Sequence, residues 1–170
     1  MLRLIKKYQN ITAISFLLIF FLLIVTYGIG KNFPPGLNHD AAWNGLYAIR
    51  ILKGEPLTVY TPEAFGQETL FHYVMSIFFY FLGSSKETIE LASTFFGLIS
   101  VPLIYYLIFH FVKDKLYSFL LSIMFILSCA FILYSRAGWR LITLIPFVTA
   151  VMLLSYLYIS YKKTKYAFWL

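Results

Sequence analysis

Charge is what this chain has least of. Only 12% of its 170 residues are charged, about half the share of an ordinary soluble domain, so much of it is expected to lie in lipid. Cysteine is almost absent. The single Cys129 lies inside an apolar run and cannot form an internal disulfide, so redox compartment is not encoded here. The first apolar run, 11–29, ends in Tyr27-Gly28-Ile29-Gly30 and has no A-x-A site after it. A cleaved signal has an apolar core of about 7–15 residues, so this longer run is expected to remain as a membrane span. No internal repeat and no low-complexity linker divides the chain, which is expected to form a single module over residues 1–170.

The charge that is present is positive, +7 in net, and sits at the ends of apolar runs: Arg3, Lys6 and Lys7; Lys113 and Lys115; Lys162, Lys163 and Lys165. That placement is topology control, with basic residues held on the cytoplasmic side, rather than a nucleic-acid surface, and no nucleic-acid partner is expected. Four runs have about the 20 apolar residues a spanning helix needs: 11–29, 89–112, 116–134 and 141–161. A fifth, residues 70–82, is shorter and carries His72, Tyr73 and Ser76, so it is expected to lie in the membrane interface. If it spanned, Lys113 and Lys115 and the basic tail would face outward. If it does not, all three basic clusters face the cytoplasm, as the positive-inside bias prefers. The expectation is a polytopic all-α helix bundle in the cell membrane, both ends cytoplasmic, with residues 31–88 as one outer loop. Arg136 and Arg140 then fall in a second outer loop, against the bias.

Within the first outer loop, Phe33-Pro34-Pro35-Gly36 reads as an extended exit from the membrane. From Ala41 to Lys53, the residues Ala42, Leu46, Ile49 and Lys53 share a helical stripe, and Gly54 and Pro56 end the helix. Gln67 or Glu68 is expected to open the helix over 70–82, and Gly83 to close it. Asp40 stands at or next to the first helix's N-cap. Two roles are open to it: accepting a backbone N–H as a cap, or acting as a general base towards an acceptor docked from outside. His39 and His72, with no further ligand pattern, are too few for a zinc site.

Four segments occur in order: "PPGLNHDAAWNGLYAIRILKGE", "GQETLFHYVMSIFFYFLG", "ELASTFFGLISVPLIYYLIFHF" and "ILYSRAGWRLITLIPF". Together they resemble the N-terminal part of membrane glycosyltransferases of the GT-C superfamily, closest to the family 39 group related to protein O-mannosyltransferases and aminoarabinose lipid A transferases. The resemblance implies a GT-C-like N-terminal module with interfacial helices in the first outer loop. It also implies transfer of a sugar from a polyprenyl-phosphate donor to a protein, lipid or glycan acceptor on the outer face. Asp40 matches the family's catalytic aspartate, although Ala41 stands where many members have a second acid. The second loop, Ser135 to Thr143, contains no Asp or Glu, so neither metal nor cofactor is expected. Arg140 first and Arg136 second are the candidates for stabilising the leaving phosphate, with headgroup snorkelling as their alternative. Glu68 matches an acidic position frequent in the group; it could orient the Asp, bind the acceptor, or simply charge a helix's first turn. His39, Trp43 and Asn44 are expected to line the same region. Family members are several times longer, so the chain is expected to be part of a longer one. The alternative from another class is a non-catalytic multi-pass scaffold or transporter-like bundle.

The topology is testable by thiol labelling of single cysteines from outside the cell. Positions beside Asp40 and Gly138 should react and a cysteine at Asp114 should not; outside labelling at Asp114 would overturn the arrangement.

Overall fold

A computed structural model describes residues 2–27, 29, 37–63 and 66–162, with side chains from Asn10 onward. The expected exit turn at residues 33–36 and the tail beyond Lys162 lie outside the described residues. The elements in order are α1 (Leu2–Thr26), α2 (His39–Leu52), β1 (Tyr60–Thr61), β2 (Gln67–Glu68), α3 (Leu70–Leu82), α4 (Lys86–Val112), α5 (Lys115–Ile126), α6 (Cys129–Tyr134), a 3-10 turn (Arg140–Thr143) and α7 (Leu144–Tyr161).

Two helical segments are long and apolar enough to cross a membrane, Lys86–Val112 and Arg140–Tyr161. The first would extend about 40 Å at 1.5 Å per residue, against a hydrocarbon thickness of about 30 Å. The apolar helical parts of the other two expected spans are shorter, Asn10–Thr26 and Lys115–Ile126. α1 ends at Thr26, whose hydroxyl turns back to the Leu22 carbonyl at 2.6 Å, rather than running to Ile29. The apolar run 116–134 is not one helix. Ser128 is extended, and its hydroxyl accepts the Phe131 N–H as the N-cap of α6. A residue offering its own cap competes with the ladder of the helix before it, and so α5 stops at Ile126. Pro102 lies within the continuous helix α4. Pro146 is in the first turn of α7, where its missing N–H leaves no partner short.

α4 is the central element, packing against α1, α3, α5 and α7. Its buried face carries Ser93, Gly97 and Ser100 at helical spacing; small side chains let neighbours approach closely. A Cβ at Gly97 would stand 2.6 Å from the Phe21 ring of α1 and 2.6 Å from the Ser135 hydroxyl. The core runs from Leu17, Phe21 and Val25 through Phe96 and Tyr105 to Phe131 and Ile142. The outward faces stay apolar: Leu23, Met124, Met152 and Ile159 are among the exposed large side chains.

The segment between α1 and α4 holds a short hairpin as well as two helices. α2 opens two residues earlier than the stripe suggested, because Asn38, not Asp40, is its cap: the Asn38 side chain accepts the Ala41 N–H at 2.8 Å. Gln67 and Glu68 are not in a helical turn but form a two-residue hairpin with Tyr60 and Thr61. The Thr69 hydroxyl and the Tyr73 phenol both donate to the Thr58 carbonyl, tying this hairpin to the start of α3. α3 itself covers Leu70–Leu82 and ends at Gly83 with φ +81°. It packs along α2, burying Phe71, Met75 and Phe79 together with Ala48.

Gly138 marks where the second loop docks onto this assembly. Its φ is +71°, and an added Cβ would lie 2.4 Å from Ile89 Cγ2 and 2.8 Å from Ala41 Cβ. Gly138→Ala is therefore expected to lower stability by about 1–3 kcal/mol through overpacking and left-handed strain, read as a lowered Tm in detergent. An unchanged Tm would mean the loop is not held there.

Candidate active site

The site begins with two asparagines on α2. Asn38 Nδ2 donates to the Ala137 carbonyl at 3.0 Å, and Asn44 Nδ2 donates to the Gly138 carbonyl at 2.9 Å. These bonds join residues almost a hundred positions apart and bring the second loop across the N-terminal half of α2. Asn44 is buried, and its Oδ1 lies 3.0 Å from His72 Nε2 on α3. Since the Asn44 amide nitrogen is committed to Gly138, its oxygen must accept, and His72 therefore carries its proton on Nε2.

This docking makes a cleft of about 120 Å³ lined by Asp40, Asn44, Gln67, Trp139, Arg140 and Leu141. The volume equals the liquid volume of about four waters, enough for one small polar group and too little for a drug-sized ligand. Asp40, in the first turn of α2, lies on one wall; Arg140, opening the 3-10 turn, lies on another. Arg140 is ion-paired through Nη1 with Glu68 Oε2, their side chains 30% and 47% exposed. A pair this exposed adds little stability, so its consequence is orientation: the hairpin that carries Glu68 aims the guanidinium. Trp139 packs edge-on to Tyr134, ring centroids 5.4 Å apart.

Of the seven residues singled out by sequence, Asp40, Asn44 and Arg140 share this cleft and Glu68 holds Arg140. The other three are elsewhere. Arg136 is buried and lines a separate small cavity with Asn38, Lys86 and Glu90. Trp43 is half-buried, with the Arg50 guanidinium over its ring at 5.5 Å, and Arg50 pairs in turn with Glu63 at 2.8 Å. His39 is exposed on the first turn of α2. His72 is fully buried against Asn44, well placed for structure and poorly placed for zinc. Among the described residues no three His, Cys, Asp or Glu side chains converge to hold a metal ion. Gln67, Trp139 and Leu141 were missed by sequence reasoning, although each is a chain neighbour of Glu68 or Arg140; only the hairpin and the docked loop turn them towards Asp40.

The chain matches no protein-family model, no curated protein and no solved structure.

His72 gives the assembly a pH dependence. Burial first, then the Arg140 charge, opposed by Glu68, push its pKa down from 6.5 to about 4. Its Nδ1 is buried without a hydrogen-bond partner, so a proton there would be an unsatisfied donor near a cation. As pH falls below about 6.5 the unfolded chain protonates first. The stability His72 contributes is complete above that pH and is lost as pH falls towards 4, at about 1.4 kcal/mol per unit of lowering. Hydrogen exchange across the α2–α3 contact should therefore show an excess loss of protection from pH 7 to pH 4.5, once the intrinsic slowing of exchange at lower pH is divided out. In His72→Gln, which keeps a donor for Asn44 without titrating, the excess should vanish; an identical response in both proteins would refute the assignment.

Proposed function

We propose that this chain is the N-terminal portion of a GT-C-type membrane glycosyltransferase, moving a sugar from a polyprenyl-phosphate donor to an acceptor hydroxyl or amine at the outer membrane face. The observation that carries the reading is that Asp40 and Arg140, a hundred residues apart in sequence, line one small cleft. In the proposed step the acceptor attacks the anomeric carbon and Asp40 takes its proton. The bond from that carbon to the phosphate oxygen breaks, and the departing phosphate receives the electron pair. Arg140 meets the charge that develops there with paired N–H donors, and Glu68 keeps the guanidinium aimed. Gln67 supplies an amide for a hydroxyl group beside the carboxylate, and Asn44, whose own amide is taken up by Gly138 and His72, holds the wall of the cleft.

The proposal places α1, α4, the α5–α6 pair and α7 as four spans, with both ends cytoplasmic and α2 and α3 lying on the outer surface. The apolar outward faces of α1, α5 and α7 support it, as does the exposure of Tyr80, Phe81 and Leu82 at the end of α3; aromatic side chains favour the headgroup zone. Arg136, buried beside Glu90, is no longer a candidate phosphate ligand in this reading.

The competing reading, a non-catalytic membrane scaffold, draws on the same ion pair, because Arg140 already has a counter-charge in Glu68. Substitution separates the two. Asn38 is the cap, so Asp40→Asn and Asp40→Ala both remove the carboxylate and spare the cap bond. Expressed from the intact gene, both variants should accumulate normally and lose sugar transfer from polyprenyl-phosphate hexoses by about 10²–10⁴-fold. Arg140→Lys, which loses the two-point geometry, should lose about 10²-fold or more. Near-normal transfer by Asp40→Asn would eliminate the general-base role, and no transfer by the wild type from any such donor would favour the scaffold.

A further inference from the structure

A groove of about 320 Å³ lies between α2, the end of α3 and the start of α4. Its wall is apolar, formed by Ala42, Leu46 and Ile49 of α2, Phe79 of α3 and Ile89 of α4. Residues 42, 46 and 49 make one helical stripe, and small residues hollow it. Ala42 adds only a methyl group. At Gly45 a Cβ would stand 3.0 Å from Ile89 Cδ1 and 3.7 Å from the Phe79 ring. Glycine inside a helix weakens it; here it lets α2 settle close enough to α3 and α4 to give the groove a floor.

The polar part of the lining is confined to three consecutive residues, Ser84, Ser85 and Lys86, and Lys86 is its one charged group among the described residues. The Ser85 hydroxyl caps α4, accepting the Thr88 N–H at 3.2 Å. The Lys86 ammonium stands 3.6 Å from the Glu90 carboxylate, with 21% of its side chain exposed. An ammonium carries three donors and can bridge a carboxylate and a phosphate oxygen. An apolar wall with a single cationic corner suits an amphiphile with an anionic head.

The groove's position in the fold indicates which amphiphile. Lys86 and Ile89 are in the first turn of α4, one of the two segments long and apolar enough to cross a membrane. The first turn of such a helix stands where acyl chains meet headgroups. Phe81 and Leu82, just before Ser84 in the chain, are exposed apolar side chains. The groove and the Asp40–Arg140 cleft share no lining residue among those described, so a phosphate held at Lys86 is not one held at Arg140. We propose that this groove seats one acyl chain of an anionic phospholipid, with the lipid phosphate against Lys86. The site rests on α4 crossing a membrane and is independent of sugar transfer in the cleft.

The test uses phosphatidylglycerol with a photoreactive diazirine in one acyl chain, added to the full-length protein in phosphatidylcholine nanodiscs. Mass spectrometry then maps the labelled residues. Ile49 and Ile89 should be labelled about fivefold more strongly than by the same diazirine on phosphatidylcholine, the factor that one lysine near a lipid phosphate supplies. Unlabelled phosphatidylglycerol should compete, and farnesyl phosphate should not. Ala42→Phe, which fills the groove, and Leu46→Glu, which puts a like charge in it, should each abolish labelling of Ile89. Exposed Met152 on α7 should react as before in both variants, reporting lipid contact outside the groove. Lys86→Gln should erase the preference for phosphatidylglycerol and Lys86→Arg should keep it. Equal labelling by the two lipids, labelling that survives Ala42→Phe, or an unaltered preference in Lys86→Gln would overturn the site. So would labelling of Met152 without the groove. Displacement by farnesyl phosphate would assign the groove to an isoprenoid and likewise overturn it. If Met152 and the rest of α7 take no label at all, the membrane placement fails, and the lipid site with it. None of these readouts depends on sugar transfer, so loss of that reading leaves them intact.

Discussion

The amides of Asn38 and Asn44 end on two successive carbonyls, those of Ala137 and Gly138, and the candidate site is organised by that contact. Each of these carbonyls would be costly to bury without a donor. Asn38 also caps α2, so one side chain both starts the helix and receives the second loop. Asn44, six residues further along α2, uses its nitrogen for Gly138 and its oxygen for His72. Through that single amide the second loop, α2 and α3 become one body. Gly138 is required because the backbone passes between Ala41 and Ile89 too closely for any side chain.

Arg136 and Arg140 lie only four residues apart, yet their environments differ. Arg140 and Glu68 meet in a half-exposed pair, where solvent screening leaves little net stabilisation. Arg136 is buried, in a small cavity that Lys86 and Glu90 also line, and an isolated charge there would carry a large desolvation penalty. Burial, not sequence position, separates the two.

The helices that carry the site are short for a reason. α2 and α3 have an apolar side towards each other and towards α4, and an outward side that mixes aromatic and polar groups, so they can rest on a surface without crossing it. Phe71, Met75 and Phe79 are buried between them. Helices packed in lipid depend on close contact between small residues, and Ser93, Gly97 and Ser100 permit such contact along α4, one of the two helical segments long and apolar enough to cross a membrane.

Much of the architecture could be read from the chain: the apolar runs that became α4 and α7, the short helix at Leu70–Leu82, the stop at Gly83 and the turn around Asp114, which caps α5. Hydrophobic run length and local turn chemistry act over a few residues, so the order of residues alone carries them. The break at Ser128 was missed because run length ignores a side chain that can cap. The β-hairpin was missed because two-residue strands have no periodicity to detect. Asp40 was recognisable as a carboxylate at a helix start, yet its cap role belongs to Asn38, and only backbone geometry separates neighbours two residues apart. The grouping of Asp40, Asn44, Gln67, Trp139 and Arg140 was decided by tertiary structure. So was the partner of Arg140, because these contacts join residues 72 to 99 positions apart, and no local pattern specifies which distant carbonyl an amide will find.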